Sequence, residues 1–197
     1  LLVIPSIFGL DEDLTLLCED IAFEGFTVIA VDPFWEIDPG PLGHSIQEVR
    51  RALARKNDMD KDEALENVFA FCKGAAAYAE NICILGIGYG GLLAFQALAH
   101  RKATAAVTWH AAGITDHLTL VDKVSRPLSL HFGANDAMTP PFEIEILQKV
   151  FQENEKVDIV VYPDAKHGYS FRDEMTYSEE AFDGSYATLL QVLQKLS

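Results

Sequence analysis

The chain has 197 residues, 49% of them hydrophobic, which is enough for one domain with a substantial core and short for two. Thirty acidic residues against fifteen basic ones give a formal charge of −15. That argues against a nucleic-acid partner or an anionic membrane surface, because both are polyanions. No apolar run approaches the roughly 18 residues of a membrane span. Cys18, Cys72 and Cys83 show no C-x-x-C spacing and fit buried thiols in a reducing compartment better than disulfides or a zinc site.

Strand-like and helix-like runs alternate along the whole chain. Residues 1–5 form an apolar strand, and 11–24 place Leu14, Leu17, Cys18 and Ile21 on one helical face. Residues 26–32 are a second strand. An irregular stretch rich in Pro and Gly follows, with a helical excursion that carries Arg50 and Arg51. Residues 62–79 then repeat apolar side chains at helical spacing, from Leu65 through Val68, Phe69 and Cys72 to Ala79. A strand over 82–87 runs into a glycine turn and a helix to about residue 100. Strands follow at 104–110 and 127–133, then a helix with Thr139 as its expected N-cap and prolines in its first turn. A strand at 157–162 and a helix over 179–196 complete the pattern. Apolar strands separated by helices predict a parallel sheet covered on both faces, with ligands bound beyond the carboxyl ends of the strands.

The glycine turn, within ILGIGYGGLLAF at 84–95, admits two readings. Gly86, Gly88 and Gly91 satisfy the dinucleotide fingerprint G-x-G-x-x-G. That chemistry needs an acidic residue about 20 positions on to hold the ribose hydroxyls. None stands between Asn81 and Thr115, and the turn follows the third strand rather than the first. The other reading is a nucleophile elbow, G-x-S-x-G, with Gly86 and Gly90 as flanking glycines and Gly88 in the nucleophile's place. Its partners should arrive later as an acid and then a histidine, each just after a strand. Asp136, in the loop after 127–133, and His167, after 157–162, meet that order. Asp136 would then orient the His167 imidazole and stabilise its charged form.

On these residues the chain resembles the dienelactone hydrolase (carboxymethylenebutenolidase) family of α/β-hydrolases. The likeness runs over nearly all of the chain: IFG at 7–9, VDPFW at 31–35, GIGYGG at 86–91, FGANDAMTP at 132–140 and HGYSF at 167–171. It implies one α/β-hydrolase domain over residues 1–197 and a cytoplasmic, cofactor-independent hydrolase of small-molecule esters or lactones. The implied triad is a Cys or Ser nucleophile with Asp and His. Two departures stand out: Gly88 replaces the nucleophile, and Ser6 stands where the family often carries an acidic residue that controls the resting cysteine.

Without a nucleophile, the oxyanion hole can still persist, because it needs backbone N–H donors, here those of Ile7 and Tyr89. Weak hydrolysis by a water over Gly88 with His167 as general base is one expectation. A non-catalytic module that binds a small molecule or partner is the other. Ser6, Trp35, Trp109 and His110 are candidate pocket residues, and the resemblance makes Arg172, Arg50 or Arg51 candidates for holding a substrate carboxylate. The six histidines show no pair at metal-ligand spacing on one element, so no metal is expected.

Overall fold

The computed structural model describes residues 1–197. Six strands form one wholly parallel sheet: β1 (Leu2–Ile4), β2 (Ile29–Ala30), β3 (Cys83–Ile87), β4 (Ala105–Trp109), β5 (Leu128–Gly133) and β6 (Val157–Tyr162), in the spatial order β2-β1-β3-β4-β5-β6. Every residue of β1, β3, β4 and β5 is buried, as expected of strands covered on both faces. Side-chain alternation along the strands divides the core in two. Leu2, Ile4, Ile84, Ala106, Leu128 and Leu130 face one layer of helices, α3 (Lys61–Ala75), α4 (Tyr89–Ala99) and α5 (Pro141–Phe151). Val3, Cys83, Leu85, Ile87, Ala105 and Val107 face the other, α1 (Glu12–Phe23) and α6 (Glu179–Leu196). No helix is long and apolar enough to cross a membrane.

Local chemistry starts the helices where the sequence changes character. Asp11 caps α1 by accepting from the Leu14 N–H, and Asp60 caps α3 by accepting from Asp62 and Glu63. A capping box opens α2 (Ile46–Asp58): Ser45 Oγ accepts from the Glu48 N–H, while the Glu48 carboxylate takes the Ser45 hydroxyl and the Gly43 N–H. Thr139 does not cap α5. The cap is Pro140, because a residue preceding proline is pushed out of the helical region, and Thr139 Oγ1 instead donates to the Ala111 carbonyl. Two further differences from expectation are a second strand reduced to Ile29–Ala30 and a 3₁₀ segment at Ile114–Lys123. The strand lies at the sheet edge and pairs only with β1.

The sheet also buries His131 on β5, between Ser129 Oγ (2.9 Å) and Tyr162 Oη (2.9 Å). Burial pulls its pKa down to about 4. Above pH 6.5 the imidazole is neutral in both folded and unfolded chains. As pH falls from 6.5 through 4, the unfolded chain takes up a proton that the folded chain refuses, so stability is lost. The shift corresponds to about 3 kcal/mol. Urea midpoints are therefore expected to drop between pH 7 and pH 4.5, and His131→Gln is expected to flatten that drop. An unchanged slope in the variant would show that His131 carries none of it.

Candidate active site

The site forms at the carboxyl ends of β1, β3, β4, β5 and β6. At its centre the chain turns from β3 directly into α4 through Gly88, whose backbone stands at φ +55°, ψ −117°. This region strongly disfavours side chains, and residues held there are typically over-determined by their surroundings. The Gly88 N–H donates to the Trp109 carbonyl (2.9 Å), and the Gly88 carbonyl accepts from Gly91 (3.0 Å). The flanking glycines are sterically compelled. A Cβ on Gly86 would lie 2.3 Å from the Gly90 carbonyl oxygen, and one on Gly90 would lie 2.2 Å from that of Ile4. Position 88 differs, because a Cβ there meets nothing closer than Ser6 Cβ at 3.4 Å and His110 Nδ1 at 3.8 Å. The turn thus leaves room for a Cβ at its apex.

Asp136 and His167 meet beside this turn. His167 Nδ1 lies 2.9 Å from Asp136 Oδ2, and the other carboxylate oxygen accepts from the N–H groups of Met138 (2.7 Å) and Thr139 (3.3 Å). The Asp136 side chain is fully buried, whereas that of His167 is 35% exposed. The His167 ring packs edge-on against that of His110, with centroids 5.0 Å apart. That contact connects the pair to Gly88.

His110 is more deeply involved than a wall residue. It follows β4 in a left-handed conformation, φ +40°, and is wholly buried. Its Nε2 lies 2.8 Å from Ser170 Oγ, and Tyr169 and Phe171 pack edge-on around it. Burial, reinforced by His167, holds its pKa well below the usual histidine value, so the ring is neutral. Trp109, by contrast, is not a pocket wall. As the last residue of β4 it points to the same face as Ala105 and Val107, and it is buried in the α1–α6 core edge-on to Phe182.

The remaining candidates separate clearly. Ser6 is buried against Gly88, and its hydroxyl accepts from the Phe8 N–H (3.2 Å). Tyr89 sends its side chain away from the turn, with its hydroxyl against Met59 Sδ (3.5 Å). Its N–H, at the start of α4, lacks an intrahelical acceptor. Trp35 is 53% exposed on the loop after β2. Arg172 donates to Asp20 (2.7 Å) and lies over the Phe182 ring, Arg51 pairs with Asp38, and Arg50 is exposed. Two of the three expected carboxylate clamps are therefore already committed to carboxylates of the chain.

The arginine that matters most to the loop after β1 is one the sequence did not single out. Arg55 is 2% exposed and bonds only backbone carbonyls: Ile7 through Nε (3.0 Å) and Nη2 (2.7 Å), and Asp38 (2.8 Å) and Gly40 (2.9 Å) through Nη1. Its guanidinium also lies 4.2 Å over the Phe34 ring. Burial lowers its pKa, opposed by the Asp32 and Asp38 charges. The only available signal was its spacing from Ala52, the other buried residue of α2. The three cysteines are not poised as nucleophiles, since burial pushes the Cys18 and Cys72 thiols up to about 11 and that of Cys83 to about 12.

A parallel sheet wrapped by helices, with a strained glycine turn after β3 and an Asp-His pair after β5 and β6, defines an α/β-hydrolase. The sequence model of the Dienelactone hydrolase family matches residues 1–197, and the chain belongs to that family. It is 27% identical over 202 aligned residues to the carboxymethylenebutenolidase of Pseudomonas sp. (strain P51), covering 99% of this chain and 84% of that one. A candidate carboxymethylenebutenolidase of Azospirillum brasilense is 27% identical over 187 residues, covering 92% and 80%. A candidate dienelactone hydrolase from Klebsiella pneumoniae subsp. pneumoniae MGH 78578 shares the fold at a TM-score of 0.83 and 24% identity, covering 96% of this chain and 84% of that one.

Proposed function

We propose that the chain is a dienelactone-hydrolase-like protein in which Gly88 removes the covalent route and leaves weak hydrolysis of small esters or lactones. The observation that carries this reading is the Gly88 turn, held at φ +55° beside the Asp136–His167 pair at 2.9 Å. In this reading Asp136 orients His167, whose other ring nitrogen takes a proton from water, and the Ile7 and Tyr89 N–H groups receive the developing oxyanion. Ser6 and His110 border the reacting centre. Machinery of this kind without its nucleophile retains about 10³ to 10⁴-fold acceleration over water in a well-studied serine protease. The protein acts as a single domain in the cytoplasm, consistent with its free cysteines and acidic surface.

The test is p-nitrophenyl acetate and dienelactone hydrolysis by the native chain and by His167→Ala. Slow turnover that disappears in the variant is expected. Turnover that survives in His167→Ala would remove the imidazole from the mechanism. No turnover at all, with stabilisation by a lactone, would favour a module that only binds.

A further inference from the structure

The position above Gly88 combines features that a merely inactivated turn does not need. Nδ1 of His110 is buried without a hydrogen-bond partner, although an unpaired buried nitrogen costs free energy and is rare in folded proteins. That atom is the only polar one among the three nearest to the Cβ site of Gly88, at 3.8 Å. The backbone that delivers it is itself in the left-handed region, and its far nitrogen is fixed by Ser170. The 11-residue helix α4 begins at Tyr89, so its positive end faces the same place.

From these features we infer that the space above Gly88 binds a small thiol as an external nucleophile, with His110 Nδ1 as its hydrogen-bonding partner, and that the chain transfers acyl groups to it. The inference rests on the triad reading proposed above. An ordinary thiol titrates near 8.5, within reach of an imidazole base and of stabilisation by a helix N-terminus. Ser170 Oγ has no partner other than His110 Nε2, so it can donate to that nitrogen and leave the proton on Nδ1, directed at a thiolate. His167 removes the thiol proton. The sulfur then attacks the ester carbonyl carbon, forming a C–S bond and an oxyanion held by the Ile7 and Tyr89 N–H groups. Collapse breaks the C–O bond, the leaving alkoxide takes the proton back from His167, and a thioester and an alcohol depart.

The experiment uses the native chain with p-nitrophenyl acetate and 2-mercaptoethanol, following p-nitrophenol release and identifying the products by mass spectrometry. Thioester formation is expected to saturate with thiol and to exceed protein-free thiolysis by about 10²-fold or more, the low end of general-base effects. His167→Ala should remove it. His110→Phe should raise the KM for thiol about tenfold, in line with a hydrogen bond to a charged group. His110→Asn, which keeps a nitrogen near the Nδ1 position, should preserve much of the affinity and guards against a folding defect in the Phe variant. A rate that is linear in thiol and equal to the protein-free rate overturns the inference, as does an equal KM in the native, Asn and Phe proteins. Gly88→Cys is assayed in parallel: if it is active while thiol has no effect, only this inference fails; if both are silent, the triad reading fails with it.

Discussion

Gly88→Cys is expected to raise p-nitrophenyl acetate turnover by about 10³-fold or more over the native chain, a fraction of the roughly 10⁶-fold cost of deleting a triad nucleophile elsewhere. The physical reason lies in what the turn has kept. A Cβ at position 88 makes only ordinary contacts, with Ser6 Cβ at 3.4 Å and His110 Nδ1 at 3.8 Å, so the new Cβ displaces no backbone. Holding a non-glycine residue at φ +55°, ψ −117° costs about 1–3 kcal/mol of stability, and Gly88→Ala should show that cost without any gain in rate. Adding His167→Ala to Gly88→Cys should return turnover to the background. A folded Gly88→Cys protein that stays as slow as the native chain would mean that the site has diverged beyond its apex residue.

Arg55→Met is expected to destabilise the chain by about 3 kcal/mol or more in urea unfolding, an effect out of proportion to a residue on a polar helix. The substitution keeps much of the apolar stem but leaves the carbonyls of Ile7, Asp38 and Gly40 without the donors they now have. Arg55→Lys should restore little, because a single ammonium cannot reproduce a fork that reaches three carbonyls. The loss extends to the site. Arg55 fixes the peptide at Ile7, the proposed source of one oxyanion donor, so in the Gly88→Cys background Arg55→Lys should lower kcat more than it alters KM. Equal stability of Arg55→Met and the native chain would show that the loop holds its shape without the guanidinium.

Much of the fold was legible because its determinants are local. Apolar strands alternating with amphipathic helices specify a covered parallel sheet, and the glycine turn is visible because Gly86 and Gly90 are forced by carbonyls within 2.3 Å. The chain order of Gly88, Asp136 and His167 was equally plain, since each follows a strand. Other features were hidden because they depend on what a side chain meets across the sheet. Trp109 and His110 are neighbours in sequence, yet the last step of β4 sends the indole into the α1–α6 core, and the left-handed residue after it turns the imidazole towards Gly88. Arg55 looks like one more charge on α2 until the loops after β1 and β2 bring their carbonyls to it. The sequence by itself determined the sheet and the glycine at the apex of the turn, because these follow from residue type and spacing. Only the tertiary structure decided that Asp136 bonds His167, that Arg172 is already paired with Asp20, and that the Nδ1 of a neutral His110 stands unpartnered near Gly88. Hydrogen-bond partners and burial are properties of segments distant in sequence, and packing alone brings them together.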